Sequence, residues 1–119
     1  MTHDQFQVAY DAPMNVGESP LWHPTESCLY WVDIAGFTIH RLNHLTGTHD
    51  EWRVPSEPTA LALNATGGLV VAMRAGFFHF NPQDGALTEI APAPYDTTTT
   101  RFNDGRVDAA GRFWVGTIY

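Results

Sequence analysis

The sequence predicts an all-β chain that forms part of a β-propeller, and three observations carry that prediction. One pattern recurs three times, over residues 21–33, 61–72 and 106–116: an apolar strand, a polar turn opened by His23, Asn64 or Asp108, and a second strongly apolar strand. The turn openers lie 41 and 44 residues apart. A period of roughly 40–50 residues with about four strands per repeat marks a propeller blade. Finally, no window long enough for a helix places its apolar side chains at helical spacing.

Taken in order, Phe6, Gln7, Val8 and Ala9 alternate and are expected to form a short strand that pairs elsewhere in the molecule, as ring-closing strands do in complete propellers. Blade one, about 16–54, opens with an inner strand at 16–22 and continues at 28–33, 38–42 and 48–54, with turns at 23–27, 35–36 and 43–47. Pro55, Ser56, Glu57 and Pro58 lead into blade two, about 57–91, with strands at 59–63, 69–73, 77–80 and 86–90. Its turn signals are 64–68, 75–76 and 81–85, rich in Gly, Asn, Asp and Pro. Residues 91–95 and the threonine run 97–100 make the next linker, and four consecutive β-branched residues favour extended backbone over helix. The start of blade three, about 100–119, reads as two antiparallel strands joined by a glycine-containing turn. A propeller needs at least about four blades to close its ring. The chain is therefore expected to be an incomplete piece of about two and a half blades, with an open strand edge through which copies can self-associate.

Composition narrows the function classes. The chain has 119 residues, 44% of them hydrophobic and 16% charged, which fits one folded domain rather than a disordered segment. Its net charge of -7, with six arginines and no lysine, argues against a nucleic-acid backbone or an anionic membrane as partner. The polar start Met1-Thr2-His3-Asp4-Gln5 shows no secretory signal, and no apolar run is long enough to span a bilayer. The single cysteine, Cys28, suits a reducing compartment, and the cytoplasm is the expected location.

Three polar residues stand out at the starts of inner strands: Glu18 in blade one, and Arg101 with Asn103 in blade three. Inner strands line a propeller's channel, so these side chains can converge although distant in sequence. Arg101 and Asn103 share a strand face because strand side chains alternate. A carboxylate and an amide oxygen suit a divalent cation such as Ca²⁺, Mg²⁺, Mn²⁺ or Zn²⁺, whereas the guanidinium suits a substrate oxygen. The bland alternative is that the three satisfy backbone groups at strand ends.

The segments Gly17-Glu18-Ser19-Pro20-Leu21-Trp22, Leu29-Tyr30-Trp31-Val32-Asp33-Ile34 and Arg101-Phe102-Asn103-Asp104-Gly105-Arg106-Val107-Asp108 resemble the amino-terminal third of the gluconolactonase, regucalcin (senescence marker protein) and luciferin-regenerating-enzyme family. The resemblance runs from about Val16 onward. It implies a six-bladed propeller with one divalent metal ion in the central channel and, mostly, hydrolysis of sugar lactones. Glu18 matches the family's first metal ligand; Arg101 and Asn103 match its substrate-contacting pair. The resemblance further implies that the other protein ligands, an asparagine and an aspartate that also serves as base, lie beyond Tyr119. No catalytic base is therefore expected within these residues, and the chain alone is expected to be inactive. A non-catalytic calcium-binding relative and a propeller interaction module are the competing readings.

Other residues read as structural. His40 and His44 bracket a strand end and turn, and are expected in solvated loops rather than in a zinc site. Asp104 and Asp108 read as turn residues, Cys28 as a small core residue, and Asn64 as a turn former despite its sequon. Ser19 lacks the glycine frame of a nucleophile elbow. Trp22, Trp31, Trp52 and Trp114 are expected to pack between strands and blades.

Overall fold

The computed structural model describes residues 5–119, which form ten strands and no α-helix. β1 (Gly17–His23), β2 (Cys28–Asp33), β3 (Thr38–Asn43) and β4 (His49–Arg53) make a four-stranded sheet in sequence order. β5 (Pro58–Leu63), β6 (Leu69–Met73), β7 (Gly76–Phe80) and β8 (Leu87–Pro92) make a second sheet of the same kind. β9 (Arg101–Val107) and β10 (Phe113–Ile118) pair as a two-stranded third. All pairs are antiparallel.

Short polar side chains close the connections by satisfying backbone donors that leave the ladders. His23 Nδ1 accepts the Glu26 N–H at 3.2 Å, and Asn43 Oδ1 accepts the N–H groups of Leu45 and Thr46 at 2.9 and 3.0 Å. Asp108 does most: Oδ1 accepts the N–H groups of Ala110 and Arg112, and Oδ2 accepts from the Trp114 indole at 2.9 Å and from Arg112 Nε at 2.7 Å. The indole, then the Arg112 backbone N–H, hold its carboxyl at about 2, below the ordinary 3.8. A depressed native value stabilises the fold above the ordinary value, and that contribution is lost as pH falls from 3.8 through about 2. An NMR titration is expected to place the Asp108 midpoint near 2. A midpoint at the ordinary aspartate value would mean that this turn network does not form.

The core lies between the first two sheets. In β2 the side chains alternate, so Cys28, Tyr30 and Val32 face inward and meet Leu61, Val71, Met73 and Phe80 from the second sheet. Full burial of a Val, Leu, Ile, Phe or Met side chain stabilises by roughly 1.5–3 kcal/mol. Tyr30 keeps its buried hydroxyl satisfied, donating to Glu26 Oε1 at 2.6 Å and accepting from Arg41 at 3.4 Å. Burial, then this bond to Glu26, push its phenol well above the usual value. Between the second and third sheets the small residues Ala60 and Ala72 leave room for Phe102, whose ring lies 4.5 Å from that of Phe77. Ser19, at φ 55°, ties the first sheet to the second by accepting the Leu61 N–H at 3.0 Å.

Several expectations change. Phe6 to Ala9 form no strand, and Phe6 and Val8 are 70% and 76% exposed, because no partner strand among the described residues takes up their backbone groups. The threonine run is a turn: Asp96 Oδ1 accepts the N–H and hydroxyl of Thr98, and the Asp96 carbonyl accepts the N–H of Thr100. Local bonding by Asp96 outweighs the β-propensity of the threonines. Trp22 and Trp114 are 48% and 63% exposed rather than packed between blades, whereas Trp52 does meet Phe80 edge-on at 5.2 Å. His40 is no loop residue; it lies within β3 and is 3% exposed. Cys28 is buried, as expected. No helix among the described residues is long and apolar enough to cross a membrane.

Candidate functional site

The first strands of the three sheets, β1, β5 and β9, lie beside one another, and each departs from regular pairing near its start. In β1, Glu18 pairs with Val32 and Leu21 with Tyr30, so Ser19 and Pro20 together oppose Trp31. In β9, Phe102 pairs with Thr117 and Gly105 with Val115, so Asn103 and Asp104 oppose Gly116. The register of β5 shifts between Pro58 and Ala60. A bulge leaves one residue unpaired and re-aims its side chain, which is why bulges gather at functional sites. Here they fall on the polar residues that interrupt otherwise apolar strands.

A cleft of about 240 Å³ opens between β1 and β9, lined by Glu18, Ser19, Leu61, Asp104 and Arg106 among others. Glu18 is exposed, and its position is anchored from behind: Asp33 accepts the N–H groups of Asn15 at 3.0 Å, Val16 at 2.8 Å and Gly36 at 3.1 Å. Against burial, which would raise it, these bonds from Val16, Asn15 and Gly36 hold the Asp33 carboxyl below the usual range. Arg101 and Asn103 are brought together directly, the guanidinium donating to Asn103 Oδ1 at 3.2 Å and to the Phe102 carbonyl at 2.9 Å. A guanidinium carries five N–H donors, so others remain for a ligand. Arg101 and Asn103 do not themselves line the cleft with Glu18; they precede Asp104, which does.

Asp104, read from the sequence as a turn residue, also lines the cleft. It accepts the Gly105 N–H at 2.8 Å, as a turn former would, and it lines the same cleft as Glu18. The available signal was its place in the same inner-strand motif as Arg101 and Asn103. Two exposed carboxylates are hard oxygen donors, and they fit a divalent cation that accepts oxygen. They are fewer than the about six to eight oxygens calcium takes, so further ligands would be needed.

Support for Arg101 comes from residues with no motif at all. Arg74 pairs with Glu57 and donates to the carbonyls of Thr97 at 2.9 Å and Thr100 at 3.2 Å, fixing the linker that delivers β9. Tyr95 Oη donates to the Arg74 carbonyl and accepts the Phe102 N–H, both at 2.8 Å. Tyr95→Phe leaves both groups without that partner, at a cost of about 1–3 kcal/mol each where water cannot replace it. A lower urea midpoint with an unchanged m-value is expected. An unchanged midpoint would show that the hydroxyl does not hold the linker.

Ten antiparallel strands in successive meanders, with the first strand of each meeting at one polar cleft, define part of a β-propeller. The chain belongs to the SMP-30/Gluconolactonase/LRE-like family, whose model matches residues 16–119. It is 37% identical over 107 residues to 6-deoxy-6-sulfogluconolactonase of Pseudomonas putida, covering 90% of this chain and 37% of that protein. With regucalcin of Xenopus laevis it shares 38% identity over 118 residues, covering 99% of this chain and 40% of that protein. Among solved structures it is similar to a calcium-binding protein, regucalcin, from Agrobacterium tumefaciens, with a TM-score of 0.88 and 30% identity over 93% of this chain and 38% of that one. The chain thus spans well under half the length of the curated relatives it matches.

Proposed function

We propose that the chain is part of a metal-dependent lactonase that opens sugar lactones to the corresponding acids, with blades at about 16–54, 57–91 and 100–119. The observation that carries this reading is the bonded pair Arg101 and Asn103 in β9, next to a cleft lined by the acidic residues Glu18 and Asp104. Membership of the family supports it, as do relatives named as a gluconolactonase and as regucalcin.

In the reaction, water oxygen bonds to the lactone carbonyl carbon, a base takes the water proton, and the ring C–O bond breaks to leave a hydroxyl and a carboxylate. Arg101 stabilises the negative charge that develops on the carbonyl oxygen. Asn103, oriented by Arg101, holds a sugar hydroxyl. Glu18 is the metal ligand, and the cation, Ca²⁺, Zn²⁺, Mn²⁺ or Mg²⁺, when bound supplies polarisation of the carbonyl and a more acidic water. The base is, on the family pattern, an aspartate outside these 119 residues. The buried free thiol of Cys28 supports a reducing, cytoplasmic setting. The outer edge of β10, with Trp114 exposed, is the surface we assign to self-association.

A calcium-binding protein without hydrolytic activity is the second reading, favoured by the likeness to regucalcin. The test is hydrolysis of aldonolactones by the complete protein that carries this chain, after chelation and with each of the four cations restored. Activity that returns with one of them is expected. Calcium binding with no hydrolysis under any of them would establish the second reading instead.

A further inference from the structure

We propose that His40, His49 and Glu51 form a transition-metal site, suited to Zn²⁺, on the face of the first sheet turned away from the second. None of the three lines the inner-strand cleft. The β3–β4 register sets His40 opposite Glu51, and His49, two residues earlier in β4, shares their face. His40 Nδ1 lies 2.9 Å from His49 Nε2 and 3.9 Å from Glu51 Oε1, and all three ligand atoms fall within 4.8 Å of one another. Zinc bound tetrahedrally at about 2.0–2.2 Å requires donors about 3.3–3.6 Å apart. The distances present bracket that requirement: rotation of the exposed Glu51 side chain shortens the longer one, and the two imidazole nitrogens, now at hydrogen-bonding distance, part by about 0.4–0.7 Å and give up their shared proton when the ion binds.

The surroundings are those of a held ligand set. Thr38 Oγ1 lies 2.8 Å from His40 Nε2. When that nitrogen donates its proton to the threonine, Nδ1 turns a lone pair toward the cluster, the arrangement by which outer partners orient metal-binding histidines. Trp31 stacks on the His40 ring at 5.1 Å with planes 4° apart, and Tyr10 stacks on His49 at 4.1 Å, so both imidazoles are walled by aromatic rings. Two imidazoles and a carboxylate, with one position left for water, are a zinc donor set. Calcium and magnesium select oxygen instead, so this cluster and the carboxylate cleft would sort cations by chemistry.

The experiment is a calorimetric Zn²⁺ titration of the purified protein in excess Ca²⁺, with Co²⁺ absorption as a readout of nitrogen ligation. One equivalent of Zn²⁺ is expected. Losing even an outer partner of a bound metal weakens affinity by about 10–100-fold, so His49→Gln and the exposed-site variant Glu51→Gln should weaken it by at least as much. Glu18→Gln should leave the nitrogen-ligated equivalent unchanged, whichever cation the channel holds. Equal Zn²⁺ affinity in wild type and both cluster variants, or loss of the ion in Glu18→Gln alone, overturns the site.

Discussion

In the complete protein proposed above, Glu18→Gln is expected to remove lactone hydrolysis and to weaken binding of the channel cation while leaving the fold intact. Glutamine keeps the shape and one oxygen donor but deletes the negative charge, and cation affinity at oxygen sites follows ligand charge. Because loss of an outer partner alone costs about 10–100-fold in affinity, loss of a direct carboxylate ligand should cost no less. The fold should tolerate the change, since Glu18 is exposed and its backbone is held by the Asp33 bonds to the preceding segment. Arg101→Met offers a complementary signature: cation affinity retained, with kcat lowered by about 10²–10³-fold if the guanidinium faces the developing oxyanion. Cation calorimetry and initial rates on each variant separate the two roles. Full cation affinity in Glu18→Gln would remove Glu18 from the metal site, and wild-type kcat in Arg101→Met would remove Arg101 from the chemistry.

Gly76→Ala should have the largest effect on stability. Gly76 begins β7 at φ 145°, a region that side-chain-bearing residues rarely enter. A Cβ there would run into the Ala91 carbonyl oxygen of β8 and sit 3.0 Å from the nitrogen of Ala93, just past the strand's end, both backbone atoms that cannot swing aside. Backbone strain of about 1–3 kcal/mol adds to overpacking of about 1–3 kcal/mol, enough to unfold a marginal domain. Gly47→Ala is the control: its φ is also positive, at 75°, but nothing lies within 4 Å of the new methyl. Equal urea midpoints for the two variants would show that the close approach to β8 does not matter.

Much of the fold was legible because its determinants are local. Alternating apolar residues set which face of each strand is buried, and His23, Asn43, Asn64 and Asp108 close turns with their own side chains, so strand positions followed from sequence to within a residue or two. Where reading failed, a competing interaction won. Asp96 captured the threonine run, and Phe6 to Ala9 had the right alternation but no strand beside it. Glu18, Arg101 and Asn103 stood out because polar residues interrupt apolar strands there. Asp104 reads as a turn residue and makes that bond, while its place along the cleft comes from how β9 lies beside β1 and is not written locally.

The sequence by itself therefore determined the all-β class, the repeating four-strand unit and the motif that carries the polar trio, since strand alternation and turn chemistry act over a few residues. Only the tertiary structure decided which distant groups meet: Ser19 with Leu61, Arg74 with the Thr97 and Thr100 carbonyls, and His40 with His49 and Glu51. Those contacts depend on strand register, on bulges that shift it by one residue, and on how one sheet lies against the next. Each is a balance of packing over the whole assembly, and no short window of sequence contains it.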